Sequence, residues 1–185
     1  MALRTGSDSR MMTTAMISAL KAIMASETTA AAAGQVGVVR RDPMAMLPFC
    51  GYNMGDYFGH WLEMGKKLGD KAPLIFNVNW FRTNEAGEFV WPGFGENTRV
   101  LKYILDCVKS KAHRVDTPIG LMPDVNDIEL EGSGLTKEDL DFLLTIDNNL
   151  WKEEADGIEA FYDKFNGTIP KELMDELANL RSKLG

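Results

Sequence analysis

A chain of 185 residues without internal repeats is the size of one domain and long enough to bury a sizeable core. Its hydrophobic content of 45%, charged content of 25% and formal net charge of -7 describe a mildly acidic globular protein and argue against nonspecific nucleic-acid binding. Cys50 and Cys107, the only cysteines, supply neither a disulfide framework nor paired zinc spacing, and they fit a reducing, cytoplasmic setting.

The chain starts with Arg4 and Arg10 ahead of a Met- and Ala-rich run, but Thr13, Thr14, Ser18 and Lys21 interrupt that run too often for a membrane span or a signal peptide. Residues 1–23 therefore read as a partly helical start, and no membrane association is expected. Over residues 26–37, SETTAAAAGQVG offers only small side chains. Alanine propensity favours a short surface helix ending at Gly34, the alternative being a loop over a site. RRDPMAMLPFCGYNMG, with Pro43, Pro48, Gly51 and Gly55, reads as an irregular packed segment.

DYFGHWLEMGKKLG then places Tyr57, Trp61 and Met64 at helical spacing, with Gly65 or Gly69 as the stop. His60 in this helix and His113 further on have no partner at a metal-ligand spacing, so they read as a structural and a solvated histidine. PLIFNVNWF reads as a strand, TNEAGE as a turn with Gly87 at positive φ, and EFVW as the returning strand of a β-hairpin. In TRVLKYILDCV, Val100, Leu101, Ile104, Leu105 and Val108 recur at helical spacing, with Asn97 or Thr98 as N-cap. TPIGLMPDVNDIELEGSG reads as a loop. Thr136 followed by Asp139 then opens a series of amphipathic helices over about 136–184. The expected fold is α+β: a small antiparallel or mixed sheet with an aromatic hairpin, followed by a C-terminal helical layer.

Trp80, Phe81, Phe89, Trp91 and Phe94 crowd into the hairpin region, residues 79–97, although aromatics make up 9% of the chain. Alternation puts Trp80 and Phe81 on opposite strand faces and Phe89 and Trp91 on the same one. Phe94 stands between two glycines, where a large ring is either inserted in the core or stacked on a ligand. A planar heterocycle suits a slot between aromatic rings, and Asn97 offers an amide with both donor and acceptor capacity beside free backbone N–H groups of Gly95, Glu96 and Asn97. These residues alone leave core and ligand slot equally open.

The blocks RRDPMAMLPFCGYNMGDYFGHW, IFNVNWFR and FVWPGFGENTRVLKYIL resemble the C-terminal part of GTP-dependent phosphoenolpyruvate carboxykinase. The resemblance runs from about residue 24 to the C-terminus, is strongest over 41–105, and would cover the last quarter to third of a family member. It implies conversion of oxaloacetate and GTP to phosphoenolpyruvate, GDP and carbon dioxide, with manganese or magnesium. It further implies that the hairpin is the guanine pocket: Phe81 and Phe94 sandwich the base, Phe89 completes the wall, and Asn97 reads the base edge. Gly95, Glu96 and Trp80 belong to the same block. The small-residue stretch resembles the family's active-site lid, about 28–38, with Ser26, Glu27, Thr28, Thr29, Ala30, Ala31, Ala32, Ala33 and Gly34 as candidate lid residues; this reverses the plain-helix reading. The family's phosphate loop, metal ligands and substrate arginines belong upstream, and this sequence has no G-x-x-x-x-G-K-[ST] motif. Catalysis is therefore expected only with the missing N-terminal portion as partner. The alternative is a noncatalytic guanine-nucleotide-binding or interaction module.

Overall fold

The computed structural model describes Ala2, Leu3, Arg41, Pro43 and residues 46–185. They divide into two compact units: Leu74–Asp147 with strand β1 (Ala2–Leu3), and Asn148–Gly185 with the described residues from Arg41 to Pro73. The proposed lid, residues 26–34, lies outside the described residues.

In the first unit, β1, β2 (Phe76–Asn77), β3 (Val115–Thr117) and β4 (Gly120–Met122) form an antiparallel sheet in the order β2-β1-β4-β3. Ala2 pairs with Asn77 and Leu3 with Phe76 on one side, while Leu3 faces Leu121 on the other. The α+β expectation holds, but the strands do not come from where the hydrophobic runs suggest. PLIFNVNWF contributes only two strand residues, and they pair with the N-terminal strand rather than with EFVW. The stretch read as a loop after His113 carries the β3–β4 hairpin, in which Thr117 pairs with Gly120 at a φ of +119°.

Helix α2 (Asn97–Val108) and helix α3 (Lys137–Leu144) pack with this sheet. Their shared core is Tyr103, Cys107, Ile128 and Leu140, with Phe76, Leu121 and Leu144 against it. The buried positions of α2 are Val100, Tyr103 and Cys107, one helical stripe. Leu101, Leu105 and Val108, expected to share the core face, form an exposed stripe instead. Buried Tyr103 keeps its hydroxyl satisfied by donating to the His113 carbonyl at 3.0 Å. At the start of α3, the Thr136 hydroxyl accepts from the Asp139 N–H at 3.1 Å and the Asp139 carboxylate accepts from the Thr136 N–H at 2.9 Å. Thr136 and Asp139 thus form the capping box read from their spacing.

The second unit consists of α1 (Met54–Leu68), α4 (Asn148–Asp163) and α5 (Lys171–Leu184). Asn53 caps α1 by accepting from the Gly55 N–H at 2.7 Å, and Gly69 at φ +50° ends it. Leu173, Leu177, Leu180 and Leu184 form the buried stripe of α5, and Ala155, Ile158, Phe161 and Tyr162 that of α4. Phe165 stands edge-on to Phe58 and Phe161, with ring centroids 5.7 and 5.0 Å away. Arg41 makes a two-pronged ion pair with Glu154 at 2.6 and 2.9 Å. His60 is exposed on α1. Among the described residues, no helix is long and apolar enough to cross a membrane.

Candidate functional site

The segment between β2 and α2 is shaped by short-range side-chain bonds rather than by strand pairing. The Asn79 amide oxygen accepts from the Phe81 N–H at 2.9 Å, which removes a donor from any ladder and turns the chain before a strand can form. Asn84 then organises the turn, its amide oxygen accepting from the N–H groups of Ala86 and Glu88 at 3.0 Å each. Gly87 takes φ +79°, as its place in the turn requires. One bridge, Thr83 to Phe89, and one bond from the Val90 N–H to the Arg82 carbonyl join the two arms. This short closure sets the rings of Phe81 and Phe89 edge to face, centroids 5.8 Å apart.

Because the arms are not regular strands, alternation fails to predict which way the rings face. Phe89 and Trp91 do not share a face: Phe89 is 65% exposed and Trp91 is 6% exposed. Phe81, at 61%, is exposed like Phe89. Trp80 is half-buried and packs on Trp91, with ring centroids 6.0 Å apart. The five aromatics thus divide into an inner tryptophan pair and outward-facing phenylalanines.

Phe94 is the outlier. Its side chain is 98% exposed and its backbone sits at φ +27°, a left-handed value that L side chains rarely adopt. It opens a 3-10 turn, Phe94–Glu96, in which the Glu96 N–H donates to the Gly93 carbonyl and the Asn97 N–H to the Phe94 carbonyl. Those two N–H groups, expected to be free, are consumed because the turn closes its own i to i+3 bonds. The same turn displaces the N-cap: Glu96 occupies it without a side-chain cap, while Asn97 is already helical and Thr98 donates its hydroxyl to the Gly95 carbonyl.

The side chain of Asn97 is bonded within the protein. Trp91 Nε1 donates to Asn97 Oδ1 at 2.8 Å. An indole N–H is only a donor, so the atom facing it is the amide oxygen, and Nδ2 is the half of the amide left for a ligand. Glu96 is tied to Arg99 by an ion pair, and Arg99 donates to the carbonyls of Glu129 and Glu131 at 2.8 and 2.7 Å. Arg82 anchors the other arm. It donates to the carbonyls of Leu143 and Thr145 at 3.2 and 2.7 Å and lies 4.6 Å from the Phe142 ring centroid, and burial lowers its pKa.

Neither arginine was marked by local sequence, since the groups they bind lie far along the chain. Trp91 could have been found as a donor, because a tryptophan six residues from an asparagine across a tight turn is within reach of its amide. A cavity of about 580 Å³ lies beside Phe89, bounded by Pro92, Ser133, Leu135 and Phe142. Phe89 lines it, whereas Phe81, Phe94 and Asn97 do not, so the candidate residues do not together form the wall of that cavity.

The family model of the phosphoenolpyruvate carboxykinase C-terminal P-loop domain matches residues 9–183. The chain belongs to this family. The match starts upstream of residue 24, where the individual motifs begin to be recognisable. Among similar proteins, the phosphoenolpyruvate carboxykinase [GTP] of Renibacterium salmoninarum is 50% identical over 164 residues, which is 88% of this chain and 27% of that protein. The proteins of the same name from Paenarthrobacter aurescens and Neocallimastix frontalis are each 47% identical over 163 residues, covering 88% and 87% of this chain and 27% of each relative. The chain thus spans about a quarter of the length of the curated relatives it matches.

Proposed function

We propose that this chain is the guanine-binding, C-terminal portion of a GTP-dependent phosphoenolpyruvate carboxykinase. In this reading Phe81, Phe89 and Phe94 hold the base and Asn97 reads its edge, while Trp80, Gly95 and Glu96 shape the surrounding turn. The observation that carries the reading is Phe94, a fully exposed aromatic held at φ +27° with no core contact to justify either feature. Strain of that kind persists where a ligand uses the strained group. Stacking on such a ring contributes on the order of 1–3 kcal/mol per base.

Among the described residues no group of three His, Cys, Asp or Glu side chains stands close enough to hold a metal ion. What these residues can do is bind and orient the nucleotide base. The complete reaction, oxaloacetate and GTP to phosphoenolpyruvate, GDP and carbon dioxide, then requires the N-terminal portion that the longer relatives carry, in a cytoplasmic setting, with the stretch 26–34 as lid. The alternative reading is a guanine-nucleotide-binding module without catalysis.

Titration of the chain with GDP, IDP and ADP tests the base assignment. GDP and IDP should bind more tightly than ADP, because leaving a partly buried amide mismatched costs about 1–3 kcal/mol. Equal affinity for ADP would sink the assignment. GTP-dependent turnover of oxaloacetate by this chain alone would overturn the statement that it needs a partner.

A further inference from the structure

We infer that Trp91 is a positioning residue for base selectivity: its indole N–H locks the Asn97 amide with Nδ2 toward the ligand. The inference rests on the guanine reading and goes beyond it, because an asparagine alone does not choose between purines. Guanine and hypoxanthine present a donor at N1 and an acceptor at the 6-position; adenine presents an acceptor at N1 and a donor at the 6-amino group. A freely rotating amide matches either pair by flipping.

In this protein the flip is opposed. Trp91 Nε1 lies 2.8 Å from Asn97 Oδ1, and rotating the amide would bring its NH₂ against the indole N–H, two donors facing each other. Trp91 is 6% exposed and packed on Trp80, so the indole has little room to yield and no water to replace the lost partner. Nδ2 can then donate to a 6-oxo group, and the second lone pair of Oδ1 can accept from N1–H. Adenine meets the wrong polarity at both atoms. The burial of Trp91, which gives the ring an obvious packing role, is also what makes its N–H an effective lock.

The test is Trp91→Phe in the full chain, which keeps a ring against Trp80 and removes the donor. Affinities for GDP and ADP are measured by calorimetry in both proteins. The ratio of ADP to GDP dissociation constants should fall about tenfold in Trp91→Phe, as expected when one buried polar match is lost. A general loosening of the fold would weaken both nucleotides and leave the ratio intact. If Trp91→Phe does not fold, Trp91→Leu, which keeps an apolar side chain against Trp80 and likewise lacks the donor, is read by the same ratio. A wild-type chain that binds GDP selectively, with the ratio unchanged in the folded Trp91 variant, overturns the lock alone. A wild-type chain that does not distinguish GDP from ADP removes the guanine reading and the lock together.

Discussion

Replacing Phe94 by glycine should strengthen the fold and weaken nucleotide binding at the same time. The ring is 98% exposed, so deleting it removes almost no buried surface, whereas truncating a buried phenylalanine costs about 3–5 kcal/mol. The backbone at φ +27° gains, since a non-glycine residue held there costs of order 1–3 kcal/mol and glycine relieves it. Against this, the extra freedom of glycine in the unfolded chain costs about 0.5–1 kcal/mol. The balance is a stabilisation of about 1 kcal/mol, read as a higher midpoint of urea unfolding with unchanged slope. Loss of one stacking partner should weaken GDP by about 1–3 kcal/mol, or about 5- to 150-fold by calorimetry. A destabilisation above about 2 kcal/mol together with an unchanged GDP affinity would place the ring in a core and refute the reasoning.

Gly55→Ala should destabilise the helical unit by about 1–3 kcal/mol despite the better helix propensity of alanine, because the new Cβ would meet the backbone oxygen of Thr168 at 2.6 Å; urea unfolding checks this, and a gain in stability would show that the Thr168 loop yields freely. Thr136→Ala should cost about 1 kcal/mol and speed amide exchange in the first turn of α3, where the capping box is lost. The same box gives α3 a pH dependence. The Thr136 backbone N–H and hydroxyl hold the Asp139 carboxyl below its ordinary value, so its stabilising contribution is present above about pH 4 and is lost as pH falls through the depressed native value. An NMR titration of Asp139 with a midpoint at or above that of a peptide aspartate would contradict the assignment.

Features that depend on residues within four positions of one another were legible in the sequence. The Asn84–Gly87 turn, the Thr136–Asp139 box and the Gly69 stop of α1 are closed by local hydrogen bonds or by glycine at positive φ, and no distant part of the chain enters them. The aromatic crowding and the FGEN block were visible for the same reason. Sequence by itself therefore determined the helices, the turn chemistry and the residues worth watching.

Only the tertiary structure decided which faces are inward. Helical spacing offered Val100, Leu101, Ile104, Leu105 and Val108, whereas the sheet with the loop around Ile128 buries Val100 together with Tyr103 and Cys107. Alternation paired Phe89 with Trp91, but the arms lack the strand geometry that alternation assumes. The two side chains separate, one to the surface and one to bond Asn97. β2 pairs with residues 2 and 3, and Arg99 reaches the carbonyls of residues 129 and 131. Those partners are remote along the chain, and a hydrogen bond or a buried face between remote residues leaves no periodicity in either local stretch.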